Sequence, residues 1–147
     1  MKITFFGHAD FLGSDKEEKV VNLLQSVVKD GEVEFLLGGY GGFDSFSRAC
    51  CQKLKRYSNK IKCTFVTPYL GEYLENRKES LDKLYDSIVY PPIENVFKKF
   101  AIIKRNQWMI DESDLIIVYV CRNYGGAYSA LQYAKKKNKK IINLYDL

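Results

Sequence analysis

Histidine is almost missing from this chain. His8 is the only imidazole in 147 residues, beside four cysteines, three prolines, two methionines and one tryptophan. A single imidazole argues against a zinc centre. Cys50, Cys51, Cys63 and Cys121 have neither C-x-x-C spacing nor a secretory context, so reduced and mostly packed thiols are expected, with no metal and no disulfide framework. No apolar run is long enough to cross a membrane. The opening MKITFFGHADFLG also lacks the apolar core of a signal peptide. A cytoplasmic protein with no membrane partner is the expectation. Neither the dinucleotide fingerprint G-x-G-x-x-G nor a Walker P-loop occurs, which disfavours a standard NAD or ATP site, and no cofactor is expected. Repeats, linkers and low-complexity segments are absent as well.

What is present reads as one α/β domain over residues 1–147. Hydrophobic residues make up 46% and charged residues 28%, ordinary values for a soluble fold. A chain of this length buries roughly 70% of its unfolded surface without a staple. The net charge of +5 is modest. Its densest run, Lys135, Lys136, Lys137, Lys139 and Lys140, falls where a helix should end, so a solvated helix terminus is the first reading. Without interleaved aromatics it makes no stacking groove, and nucleic acid is not favoured as a partner.

The strongest pattern runs over residues 105–132. Leu115, Ile116, Ile117, Val118, Tyr119 and Val120 form a short unbroken apolar run, the mark of a parallel strand covered on both faces. Gly125-Gly126 follows, then Ala127, Ala130, Leu131 and Ala134 spaced along one helix face. A strand, a glycine turn and a helix start leave free N–H groups at the positive end of a helix dipole, beside the carboxyl edge of a sheet. That is where α/β folds hold phosphate.

Further strands are expected at residues 2–6, 33–37, 61–66, 87–90 and 141–144. Ser14-Asp15-Lys16-Glu17 is a capping box opening a helix with Val20, Leu23, Leu24, Val27 and Val28 inward and Asp30-Gly31 as its stop. A helix near Asp44 turns Phe46, Ala49, Cys50 and Leu54 inward. Residues 94–111 have helical spacing in Val96, Phe97, Phe100, Ile103 and Ile110, with Lys104, Arg105 and Gln107 on other faces. That apolar face would serve a homodimer interface as easily as a core. The charged stretch GEYLENRKESLDKLYD reads as a surface helix or mobile loop. Helices alternating with five or six strands give a three-layer α/β sandwich with a mostly parallel, right-handed sheet.

Three strand ends converge on one edge of such a sheet: Gly7-His8, residues 38–44 and residues 124–129. Gly38, Gly39, Gly41 and Gly42 fall within five residues, a density that calls for positive φ or for close approach to the backbone. Two glycine turns in one small domain point to an anion pocket. His8 is either a loop histidine bonded to backbone or a ligand donor and acid–base group. Arg105, with Asn106 beside it, is either a solvated helix charge or a clamp on phosphate or ribose. Asp44 reads as a helix cap before it reads as a catalyst. Trp108 and Met109 are expected in the core. Tyr40, Tyr69, Tyr124 and Tyr128 are candidates to stack on a base.

Four stretches carry a resemblance: Phe6-Gly7-His8, LLGGYGGFD at 36–44, KRNQWMIDESDLIIVY at 104–119 and GGAYSALQYAKKKNKKI at 125–141. With these the chain resembles the SLOG superfamily, Rossmann-like proteins that include the DprA/Smf proteins, the LOG cytokinin-activating enzymes and the small bacterial YpsA-like group, the last being the nearest. The resemblance implies a three-layer Rossmann-like sandwich. It also implies a pocket for a nucleotide or nucleotide-like ligand at the strand ends, with phosphate at the Gly-Gly turn. In LOG enzymes an arginine in R-K-x-x-M and a glutamate in P-G-G-x-G-T-x-x-E serve N-glycosidic bond cleavage. Arg105 stands at that arginine, with Met109 at the same spacing. In the glycine motif Gly125, Gly126 and the hydroxyl of Ser129 are kept. Tyr124 replaces the proline, Tyr128 the third glycine and Gln132 the glutamate. A glutamine can hydrogen-bond a ribose but cannot act as a general base or stabilise an oxocarbenium-like centre by charge.

The expected function is therefore binding of a small nucleotide or derivative, NAD-related and ADP-ribose-like compounds included, by a sensor or sequestering protein of bacterial or phage origin. A nucleoside 5′-monophosphate N-glycosidase or ribosyltransferase is the rival, with Arg105 kept and Asp44 or His8 taking over acid–base work. Single-stranded DNA binding through the lysines near residue 137, as in the DprA branch, is the third reading.

Overall fold

The computed structural model describes every residue except Asp30 and, at the side-chain level, Ser14. The Ser14 side of the capping box and the Asp30 part of the helix stop thus lie outside the described residues; a 3-10 turn over Ser14–Lys16 leads into α1, which opens at Glu17, and Glu17 pairs with Lys53 at 3.2 Å rather than capping the helix. The elements in chain order are β1 (Lys2–Gly7), α1 (Glu17–Val28), β2 (Val33–Leu37), α2 (Gly41–Lys55), β3 (Ile61–Val66), α3 (Glu72–Glu75), α4 (Lys78–Leu84), β4 (Ser87–Val89), α5 (Ala101–Glu112), β5 (Leu115–Tyr119), α6 (Gly126–Lys136) and β6 (Lys140–Asn143).

All six strands are parallel, in the order β4-β3-β2-β1-β5-β6. The central strands show why. β1 and β5 are apolar on both sides, and the alternation of side chains sends successive residues into different cores. Ile3 and Phe5 join Phe35, Leu24 and Phe43 under α1 and α2. Phe6 joins Leu36, Ile116, Val118 and Met109 under α5 and α6. The result is a Rossmann-like α/β sandwich of three layers. Thr4, fully buried at the sheet centre, satisfies its hydroxyl by donating to the Leu36 carbonyl at 2.9 Å.

Several expectations need correction. The helix expected over residues 94–111 begins only at Ala101, and its buried face is Ala101, Arg105, Met109 and Ile110. Phe97, Phe100 and Ile103 are exposed instead. Arg105, placed on an outer face by apolar spacing, is 5% exposed. The charged stretch after β3 forms two short helices, α3 and α4, and it contributes Leu81 and Tyr85 to the core. In α2, Phe43 and Cys51 are buried, whereas Phe46 and Ala49 are only half-buried. Trp108 is half-buried beside a fully buried Met109. Cys121 is exposed, unlike the other three cysteines, and all four are free.

Candidate functional site

The chain runs outward from β1 through β2 and β3 to β4, then returns to lay β5 on the other side of β1. Loops leaving β1 and β5 therefore part in opposite directions, and an open crevice forms between their carboxyl ends. A cavity of about 450 Å³ occupies it, lined by Gly7, His8, Ala9 and Asp10 after β1, by Arg122 and Tyr124–Ala127 after β5, and by Gly38, Tyr40, Asp44, Ile102, Arg105 and Asn106.

His8 ties the two strands together. It is 6% exposed, and its Nε2 accepts the N–H of Cys121 at 3.1 Å. An accepting Nε2 puts the proton on Nδ1, so this imidazole is neutral. Burial holds its pKa below the ordinary value, and the positive charge of Arg122 adds to the effect.

Arg105 forms the floor. Its Nη1 donates to the carbonyl of Val66 at 2.7 Å and to that of Gly38 at 3.3 Å, clamping the ends of β3 and β2, while Nε donates to Asn106 Oδ1 at 2.9 Å. Nη2 has no protein partner among the described residues. It lies beside Gly38, where an added Cβ would stand 3.2 Å from it and 3.4 Å from Asp44 Oδ2. Among the described residues no carboxylate reaches salt-bridge distance of the guanidinium; Asp44 acts on it from farther off, so a buried and only partly offset positive charge faces the cavity.

Asp44 Oδ2 accepts the N–H of Tyr40 at 2.8 Å, reaching back over the start of α2. Burial lifts its pKa to about 6, against the opposing pull of that N–H and of the Arg105 charge. Across the mouth of the crevice, Arg122 Nη2 meets Asp10 at 2.7 Å, joining the loop after β1 to the loop after β5.

The two glycine turns differ in kind. At the start of α2 the backbone is already engaged: Gly42 N–H donates to Ala9 O at 2.7 Å, and an added Cβ there would stand 2.4 Å from the Phe11 carbonyl oxygen. Gly41 (φ +88°) has Ala9 just as close, and at Gly39 (φ +73°) a Cβ would meet the Phe65 ring. These glycines let the β1 loop and the sheet approach the helix. At the start of α6, by contrast, nothing lies within 4 Å of a Cβ added at Gly125 (φ +92°) or Gly126. No side chain caps that end, and the first bond back to Gly125 O comes from Ser129 N–H at 3.0 Å. The N–H groups of Gly126 and Ala127 are left for an outside acceptor.

The structure thus brings Gly7, His8, Gly38, Tyr40, Asp44, Arg105, Asn106, Tyr124, Gly125 and Gly126 around one cavity. Gly39, Gly41 and Gly42 lie behind it. Tyr128 packs against the second core, and Ser129 and Gln132 are exposed on α6 outside the lining. Asp10 and Arg122 were missed by sequence reasoning, although each sits one to three residues past a strand's carboxyl end, the position that signals such a site. The lysine run from Lys135 to Lys140 stands at the far end of α6, on the opposite edge of the sheet, where Lys139 Nζ donates to the carbonyls of Asp111 and Ser113. Among the described residues no group of His, Cys, Asp and Glu could hold a metal ion, and no helix is long and apolar enough to cross a membrane.

No family model matches the chain. It is 26% identical over 140 residues to the SPbeta prophage-derived protein YoqJ of Bacillus subtilis (strain 168), covering 82% of this chain and 80% of YoqJ. Among solved structures, DprA of Streptococcus pneumoniae superposes with a TM-score of 0.64 at 14% identity over 95% of this chain and 48% of DprA. DprA of Helicobacter pylori, described for its single-stranded DNA binding mode, gives 0.62 at 18% identity over 96% of this chain and 63% of that one. The structural-genomics target TM1055 gives 0.58 at 12%, covering 95% and 71%. The chain spans about half the length of the first DprA and under two thirds of the second. At these identities the likeness is one of fold, and that fold is the Rossmann-like domain of the DprA type.

Proposed function

We propose that the chain is a cytoplasmic SLOG protein of the YpsA-like kind that binds a small nucleotide or nucleotide derivative across the β1/β5 crevice. The phosphate rests on the open first turn of α6 and on Nη2 of Arg105, and the base lies against Tyr40 or Tyr124, which are 78% and 64% exposed at the rim. One observation carries this reading: a guanidinium 5% exposed, with Nη2 unpartnered and no carboxylate paired to it. Asp44 acts on this charge only from beyond salt-bridge distance, and burying a charge so loosely compensated is costly. A phosphate in the cavity supplies the missing acceptor and a closely paired negative charge. The likeness to a prophage-derived protein fits an origin in bacteria or their phages, and a sensing or sequestering role follows from binding without catalysis.

The test is a thermal-shift titration with AMP, ADP, ADP-ribose and NAD. A ligand at 100 times its dissociation constant stabilises by about 2.7 kcal/mol, roughly an 8 °C rise for a domain of this size. Arg105→Met should abolish the rise. No shift with any of the four compounds sinks the proposal.

Asp44 supports a second reading, N-glycosidic cleavage of a nucleotide. A carboxyl with a pKa near 6 is placed to exchange a proton close to neutral pH. Release of free base that is lost in Asp44→Asn would establish it. Binding without release leaves the first reading standing alone.

A further inference from the structure

Beyond the crevice the molecule holds a second cavity at the same edge of the sheet. It measures about 580 Å³ and lies past the ends of β3 and β4, against the start of α5. Three tyrosines line it, Tyr69, Tyr73 and Tyr90, together with the carboxylates of Glu72 and Glu94. Tyr69 and Tyr73 meet edge to face with centroids 5.1 Å apart.

The two cavities are neighbours. Ala101 lines the second, Ile102 and Arg105 line the first, and Ala101 and Arg105 are one turn apart on the buried face of α5. The Arg105 guanidinium is close enough to both Tyr69 and Tyr73 to feel their hydroxyls. Arg105 therefore stands between two chambers of different chemistry. The first offers a cation and bare N–H groups. The second offers tyrosine rings and hydrogen-bond acceptors, with the Arg77 guanidinium on one face of Tyr73 at 4.0 Å and the Lys98 ammonium near Tyr69 at 5.7 Å.

Neither the Glu72 nor the Glu94 side chain has an ion-pair partner among the described residues. Against these two carboxylates the lining has one cation, Lys98, with its Nζ 5.7 Å from the Tyr69 ring centroid, so the chamber is net negative and suits the charged end of a guest less well than the Arg105 crevice does. It suits a nucleoside: the base stacks on tyrosine, and a carboxylate accepts from ribose hydroxyls as it does in dinucleotide folds. Resting on the nucleotide-binding reading above, we infer that the ligand is two-ended, a dinucleotide whose phosphates sit at Arg105 and α6 and whose second nucleoside fills the tyrosine chamber.

The experiment compares AMP with P1,P2-diadenosine diphosphate by calorimetry on the wild-type chain and on Tyr73→Leu, Tyr90→Leu and Glu94→Gln, each checked for an unchanged melting temperature. The dinucleotide should bind at least tenfold more tightly than AMP. Each tyrosine variant should lose most of that advantage with AMP affinity unchanged, and Glu94→Gln should lose a smaller part. If AMP binds and the dinucleotide binds no better, or if all three variants leave its advantage intact, the second subsite is overturned while the phosphate site stands. If neither compound binds, both inferences fall together.

Discussion

One substitution made at two places separates the two glycine turns. At Gly42 a methyl group would stand 2.4 Å from the Phe11 carbonyl oxygen and 3.0 Å from that of Ala9, the acceptor of Gly42's own N–H. Both obstacles are backbone, so the loop after β1 must move and its bond at 2.7 Å must stretch. Overpacking of this kind costs about 1–3 kcal/mol, and alanine's better helix propensity returns up to about 1 kcal/mol. Gly42→Ala should therefore lose about 1–2 kcal/mol, which lowers the melting temperature by roughly 3–6 °C. At Gly126 nothing lies within 4 Å of the new atom, so only the propensity gain of up to about 1 kcal/mol remains. Gly126→Ala should melt at or slightly above the wild-type temperature. Yet a helical Cβ tilts toward the helix N-terminus, into the space proposed for the phosphate, and nucleotide affinity should fall at least tenfold. Melting followed by circular dichroism and binding followed by calorimetry read the two effects separately. A Gly42→Ala chain as stable as wild type would refute the claim that this turn exists for close packing.

Other consequences concern protons and thiols. The folded Asp44 carboxyl titrates at about 6 and the unfolded one near 3.9, so over that window the folded state holds a proton that the unfolded chain has released. Wild-type stability should drop relative to Asp44→Asn by up to about 3 kcal/mol as the pH rises from 4 to 7, and urea melts at the two ends would expose a constant difference as a contradiction. His8 shifts the other way: its contribution is complete above about pH 6.5 and fades as the pH falls below that value. An imidazole titration midpoint at or above 6.5 by NMR would contradict the neutral, accepting Nε2. With Cys50, Cys51 and Cys63 at most 1% exposed and Cys121 exposed, a disulfide reagent should modify one thiol quickly in the native chain and four in denaturant; two fast thiols would be inconsistent with the packing of α2 on β3.

Where sequence and structure agree, the physics is local. The apolar run of β5 and the small-residue face of α6 need no knowledge of the rest of the chain, and both stand where periodicity put them. The strands at residues 2–6, 33–37, 61–66 and 87–90 were legible for the same reason. Errors arose where a distant partner decides. Arg105 is polar by type, so apolar spacing sets it on another face and leaves solvated charge and clamp both open; what buries it are the carbonyls of Val66 at the end of β3 and of Gly38 just past β2, 39 and 67 residues away. Once one inward position of α5 carries a charge, apolar spacing does not separate core from surface, and Phe97, Phe100 and Ile103, expected in a core or an interface, lie exposed. The glycine density at residues 38–42 calls for positive φ or close approach, and both occur, but spacing alone does not tell a ligand from the chain's own loop, here Ala9 to Phe11.

β1 lies at the middle of the sheet, yet its neighbour on one side, β5, is made last but one among the strands. While the chain is being synthesised, the flank of β1 destined for residues 115–119 stays an unpaired apolar edge until that strand has emerged, a state prone to adhesion. The crevice likewise has only one wall until then. Under the proposed function, ligand capture waits for β5, and anything that occupies the crevice also acts as a late brace, rewarding completion of the sheet with added resistance to unfolding.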